Sequence, residues 1–72
     1  MNNRVFYRMF LKKSNSVLVL SACAHPLEGE KYGTCQVVGT FANKKDMQIF
    51  AKKFAGTYNI RTYEYKGEEI TI

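Results

Sequence analysis

Proline and histidine occur once each in 72 residues and cysteine twice, and each scarcity removes a class of protein. Near-absence of proline beside 14% aromatic residues argues against a disordered chain, which would lack the ring-bearing side chains that build a core. Two cysteines are too few for a disulfide scaffold and cannot form a four-cysteine zinc site. The longest apolar run, Val17 to Ala24, falls far short of the roughly 18 residues of a membrane-crossing helix. The N-terminal residues show no apolar h-region followed by a small-residue cleavage site. A cytoplasmic protein without a membrane partner is expected, and in that reducing compartment its cysteines should be thiols. The G-x-G-x-x-G, P-loop and H-E-x-x-H signatures are missing as well, as are internal repeats and low-complexity segments. Neither a cofactor nor an enzymatic activity is expected.

What is present is one small domain, residues 1–72, with a basic bias. Below about 70 to 80 residues a single core rarely supplies more than roughly 3 to 5 kcal/mol without a staple, a metal or a partner subunit, so a homo-oligomer is expected. Basic residues outnumber acidic ones 11 to 6, for a net charge of +5, which favours anionic partners. Arg4, Arg8, Lys12 and Lys13 meet no acid before Glu28, whereas Glu64, Glu68 and Glu69 lie near the end.

The helix is the best-marked element. Asn43 is a good N-cap, and Asp46 three residues on supplies an acceptor for first-turn N–H groups. Met47, Phe50, Ala51, Phe54, Ala55 and Tyr58 then recur at the spacing of one helical face. Gly56 stands where a left-handed terminating residue is wanted, with Lys52 and Lys53 near the negative end of the helix dipole. The outer face carries Lys45, Ile49, Lys52 and Lys53.

The remaining segments alternate as strands do. From Arg4 to Lys12, strict alternation places Val5, Tyr7, Met9 and Leu11 on one side and Arg4, Phe6, Arg8, Phe10 and Lys12 on the other; a helix would also group Phe6, Met9, Phe10 and Lys13. Lys13-Ser14-Asn15-Ser16 has turn chemistry, and Val17 to Leu20 is apolar on both faces, as in a strand covered on both sides. His25 to Glu30 reads as a loop. Thr34 to Phe41 is a strand with Gly39 as a bulge or close-approach point. Tyr58 to Lys66 alternates again, and Lys66-Gly67 turns into a last strand, Glu68 to Ile72. The order is βββαββ: an α+β fold, two layers, with an antiparallel sheet of about five strands and a single helix. One helix shields one side only, so the sheet either curls on itself or takes a second subunit on its other side.

Three constellations could carry function. Cys23, His25 and Cys35 offer two sulfurs and an imidazole to zinc or copper(I), without a fourth ligand. The same two cysteines, on successive antiparallel strands, could equally face each other as small buried residues or form a redox pair, and Cys23 with His25 could form a nucleophile pair. The third is the interleaving of cation and ring at Arg4, Phe6, Arg8, Phe10 and Lys12, and again at Arg61, Tyr63 and Tyr65. Faces of this kind stack bases and neutralise phosphate in single-strand binders. Phenylalanine on a short strand more commonly belongs to a core or a dimer interface with arginine stems lying alongside it.

Cys35-Gln36-Val37-Val38-Gly39-Thr40-Phe41, followed by Asn43, the helix through Ala51 to Gly56 and the strand from Tyr58 to Tyr65, resembles the first half of a SPOR domain, the peptidoglycan-binding module of bacterial division proteins. That resemblance implies glycan binding on the sheet. The residues themselves point first to a small non-enzymatic binding protein, of the kind phages and mobile elements use as accessory inhibitors that occupy a surface of a host protein. Arg4, Phe6, Arg8, Phe10, Lys12, Lys45, Ile49, Lys52, Arg61 and Tyr63 are its expected contact residues, towards an acidic protein surface. Binding of nucleic acid or a nucleotide-like anion is the alternative.

Overall fold

Two-residue turns set most of the sheet. In the computed structural model, which describes residues 5–72, β1 (Phe6–Ser14) and β2 (Val17–Ala24) form a hairpin about Asn15 and Ser16. Both turn residues have positive φ, 48° and 66°, the type I′ geometry whose twist matches that of the flanking strands. β3 (Thr34–Phe41) pairs antiparallel with β2. After helix α1 (Lys44–Tyr58), β4 (Thr62–Tyr65) and β5 (Glu68–Thr71) form a second hairpin about Lys66 and Gly67, again at positive φ.

The βββαββ order is as expected, but the sheet is mixed and not antiparallel throughout. Its strands lie in the order β3-β2-β1-β4-β5, and β1 pairs parallel with β4. Two antiparallel steps make β1 and β3 run the same way. The helix returns the chain across the sheet, so β4 starts from the end where β3 started; a parallel neighbour requires such a crossover.

At the start of α1, Asn43 Oδ1 accepts the Asp46 N–H at 2.9 Å and Asn43 Nδ2 donates to Asp46 Oδ2 at 3.3 Å, satisfying a first-turn donor as the Asn-x-x-Asp pattern predicts. The other end differs from expectation. The helix does not stop at Gly56 but runs on to Tyr58, and Asn59 is the left-handed residue, φ 57° and ψ 40°, with its N–H bonded to the Ala55 carbonyl. Asparagine reaches that conformation at low cost because its short polar side chain bonds locally. Lys52 and Lys53 are therefore mid-helix, and the last turn holds no basic residue.

The core lies between helix and sheet. Met47, Ala51 and Ala55 pack against Met9, Leu11, Leu20, Ala22 and Tyr63, with Phe50, Phe54 and Tyr58 closing the sides. Phe6 belongs to this core and not to an exposed strip. Phe6 pairs with Ala24 but Arg8 pairs with Cys23, so Tyr7 is an extra residue in a bulge. The bulge shifts the alternation by one and turns Phe6 to the helix side, where its ring centroid is 5.3 Å from Phe54 and 5.1 Å from Tyr58. A second bulge leaves Val38 as the extra residue between the pairs Leu20–Gly39 and Ser21–Val37. At Gly39 a Cβ would lie 2.6 Å from the Phe41 ring, so the glycine is where that ring folds over the strand.

β3 and β5 are both edges, so the sheet is open and not rolled shut. Leu20 is fully buried under the helix, whereas Val5, Tyr7, Val17 and Val37 are exposed. The second apolar side expected from Val17 to Leu20 exists, and no part of the described chain covers it. Among the described residues no helix is long and apolar enough to cross a membrane.

Candidate binding surface

The uncovered face is organised around β1, the middle strand. Beyond the bulge, Arg8, Phe10 and Lys12 alternate with the core residues Met9 and Leu11. The parallel register sets Phe10 beside Glu64. Arg8 uses that neighbour: its Nη2 donates to Glu64 Oε1 at 2.8 Å while its guanidinium carbon sits 4.4 Å from the Phe10 ring centroid. A pair this exposed contributes about 0 to 1 kcal/mol to stability. Its structural effect is to hold the guanidinium over the ring and to neutralise one of the few cations of this face.

The extra residue Tyr7 is carried onto the same face. The His25 N–H donates to the Val5 carbonyl at 3.1 Å, which continues the β1–β2 pairing one step and brings His25 alongside Tyr7. Their rings stack 4.2 Å apart at 16°. Val37, 57% exposed, and Tyr7, 51% exposed, are the large apolar groups offered beside Phe10.

Cys23 and Cys35 face each other as direct cross-strand partners, one of the arrangements their sequence positions allow. They are not the free thiols expected, however: they form a disulfide, with their Cα atoms 3.9 Å apart. The register sets the two side chains against each other from adjacent strands. Sulfurs bonded to each other are neither thiolate ligands nor nucleophiles, so the metal and Cys–His readings of Cys23, His25 and Cys35 lose their chemistry. His25 is engaged with Tyr7 instead. Among the described residues no cluster of three or more histidine, cysteine or acidic side chains could hold a metal ion.

The expected contact residues do not form one strip. Arg8, Phe10 and Lys12 lie together on the open sheet face. Lys45, Ile49 and Lys52 are all exposed and fall at i, i+4 and i+7 on the outer side of α1, in the opposite layer. Arg61 is exposed just before β4. Phe6 and Tyr63 are buried, at 7% and 3% exposure, and cannot touch a partner; Tyr63 pairs with Ile70 and both pack into the core. Arg4 lies outside the described residues. Tyr7, Val37 and the Tyr7–His25 stack were missed, because strict alternation sends Tyr7 to the core and no local signal marks the bulge. Comparison with known protein families, with curated proteins and with solved structures finds no match, so the SPOR resemblance rests only on its order of strand, glycine, cap and helix.

Proposed function

We propose that this chain is a small non-enzymatic binding protein whose open sheet face occupies a surface of another protein, as the accessory inhibitors of phages and mobile elements do. The observation that carries the reading is the uncovered face itself. A single helix covers one side of a five-stranded open sheet, and the other side presents Tyr7, Phe10, Val37 and the Tyr7–His25 stack. Rigid aromatic side chains in that setting are the usual anchors of protein interfaces. Between partners, two copies of the chain are expected to share this face.

The distribution of charge favours protein over nucleic acid. Single-strand binders combine stacking rings with free cations on one surface. Here the rings are on the sheet, where Arg8 is already paired with Glu64, while Lys44, Lys45, Lys52 and Lys53 are exposed on the helix. The helix lysines and Lys12 are suited to steering the protein towards an acidic partner, since summed charge acts on encounter rates over distance. The second reading, nucleic acid on the open face, is favoured by one observation only, the paired Tyr7 and His25 rings.

Capture on immobilised protein after nuclease treatment separates the two. A protein partner retained by the wild type and by Lys45→Glu with Lys52→Glu, but lost with Tyr7→Ser and Val37→Ser, supports docking on the sheet. Loss of the partner on nuclease treatment favours nucleic acid, and retention by the sheet variant overturns the reading. A cytoplasmic location is part of the proposal and makes a prediction of its own. Alkylation and mass spectrometry of protein from intact cells test it: a cytoplasmic protein should show Cys23 and Cys35 as two thiols, and finding them bridged, as they are in the structure, would place the protein in an oxidising compartment and overturn that location.

A further inference from the structure

At the end of the molecule where the β1–β2 turn approaches the start of α1, a cavity of about 360 Å³ opens between helix and sheet. Its size falls within the roughly 300 to 1,000 Å³ typical of small-molecule pockets. Leu11, Leu18, Tyr65 and Ile70 provide an apolar floor, and Lys13 and Lys44 stand among its lining residues with no acidic side chain beside them. The first turn of the helix carries Asp46, which is not among the lining residues and is bonded to Asn43. Tyr63 also lines the cavity. It is 3% exposed and belongs to the core, so it forms part of the cavity wall.

We propose that this cavity is a binding site for a small carboxylate bearing an apolar tail. The tail lies on Leu11, Leu18, Tyr65 and Ile70, and the carboxylate is held at the mouth by Lys13 and Lys44. Apolar contact supplies affinity without direction. The two ammonium groups supply the preference for an anion, because charge-assisted hydrogen bonds are the strong ones. The positive end of the α1 dipole, beside Asn43 and Lys44, adds to that preference. The site is separate from the open sheet face and does not depend on the docking function proposed for it.

Titration of isotope-labelled full-length protein with octanoate, followed by amide chemical shifts, tests the assignment, with 1-octanol as the uncharged probe of equal tail. Saturable shifts centred on Leu18, Asn43, Lys44, Tyr65 and Ile70 are expected. Octanoate should bind about tenfold tighter than 1-octanol, and about tenfold tighter than it binds Lys13→Glu with Lys44→Glu; tenfold is a modest charge effect on affinity. Both lysines are exposed, and circular dichroism confirms that the variant folds. Equal affinity for the two probes, undiminished binding by the charge-reversed variant, shifts centred elsewhere or failure to saturate would each overturn the proposal.

Discussion

Phe6 and Phe10 differ by four positions in one strand and have opposite fates. Phe6 is 7% exposed and packs its ring against Phe54 and Tyr58. Phe10 lies half-buried under the Arg8 guanidinium on the other face. Truncating a buried phenylalanine to alanine costs about 3 to 5 kcal/mol, the whole of what a core this small supplies. Phe6→Ala is therefore expected to be unfolded at room temperature, whereas Phe10→Ala should stay folded with a loss of about 1 kcal/mol, within the common range for single substitutions. Thermal melts of both variants decide this, and comparable losses would place the bulge elsewhere than at Tyr7. Thr34 offers a subtler test. Its Oγ1 is buried without a hydrogen-bond partner, and replacing an unpaired polar group by an apolar one of the same shape relieves a desolvation penalty of about 1 kcal/mol or more. Thr34→Val is expected to raise the melting temperature.

At the scale of elements, the helix is held by its cap and by one face, and it contains one avoidable weakness. Gly56 lies inside α1 and not beyond its end, and a Cβ placed there meets nothing within 4 Å. Interior glycine costs roughly 0.5 to 1 kcal/mol relative to alanine, so Gly56→Ala should stabilise by about that amount in a urea titration. Destabilisation would mean that Gly56 ends the helix after all. The β2–β3 pair is closed by the bridge between Cys23 and Cys35, 12 residues apart in sequence. Closing a loop of that length stabilises the fold by about 3 kcal/mol through the unfolded chain. Cys23→Ser with Cys35→Ser, or full reduction, is expected to lower the unfolding free energy by that order, a large share of the total for a chain of this size. Where it is oxidised, the bridge is a staple of the kind that so small a core calls for.

For the whole molecule, the proposed association rests on the open face. Two copies that share it should give a light-scattering mass near twice the 8.3 kDa of the chain, and Val37→Lys, which places a charge on the β3 side of the patch, should return the mass to that of one chain. A single-chain mass for the wild type at high concentration would leave the face to a different protein alone. In the proposed function the two layers divide the work: apolar and aromatic anchors on the sheet, exposed lysines on the helix. A partner that met only the helix would leave Tyr7, Phe10 and Val37 without a use.

The sequence by itself determined what is written locally. The cap at Asn43, the apolar spacing from Met47 to Tyr58, the spans of β2 and β3 and the turn at Lys66-Gly67 are each set by neighbours a few residues apart, whose hydrogen bonds and side-chain periods hold without knowledge of the rest. Tertiary structure decided what depends on distant pairing. The parallel β1–β4 contact joins residues more than fifty positions apart, and the Tyr7 bulge exists only relative to β2. The burial of Tyr63 and the meeting of Cys23 with Cys35 follow from register across strands. No local property of those residues selects one register, because it is the packing of the whole sheet against one helix that does so.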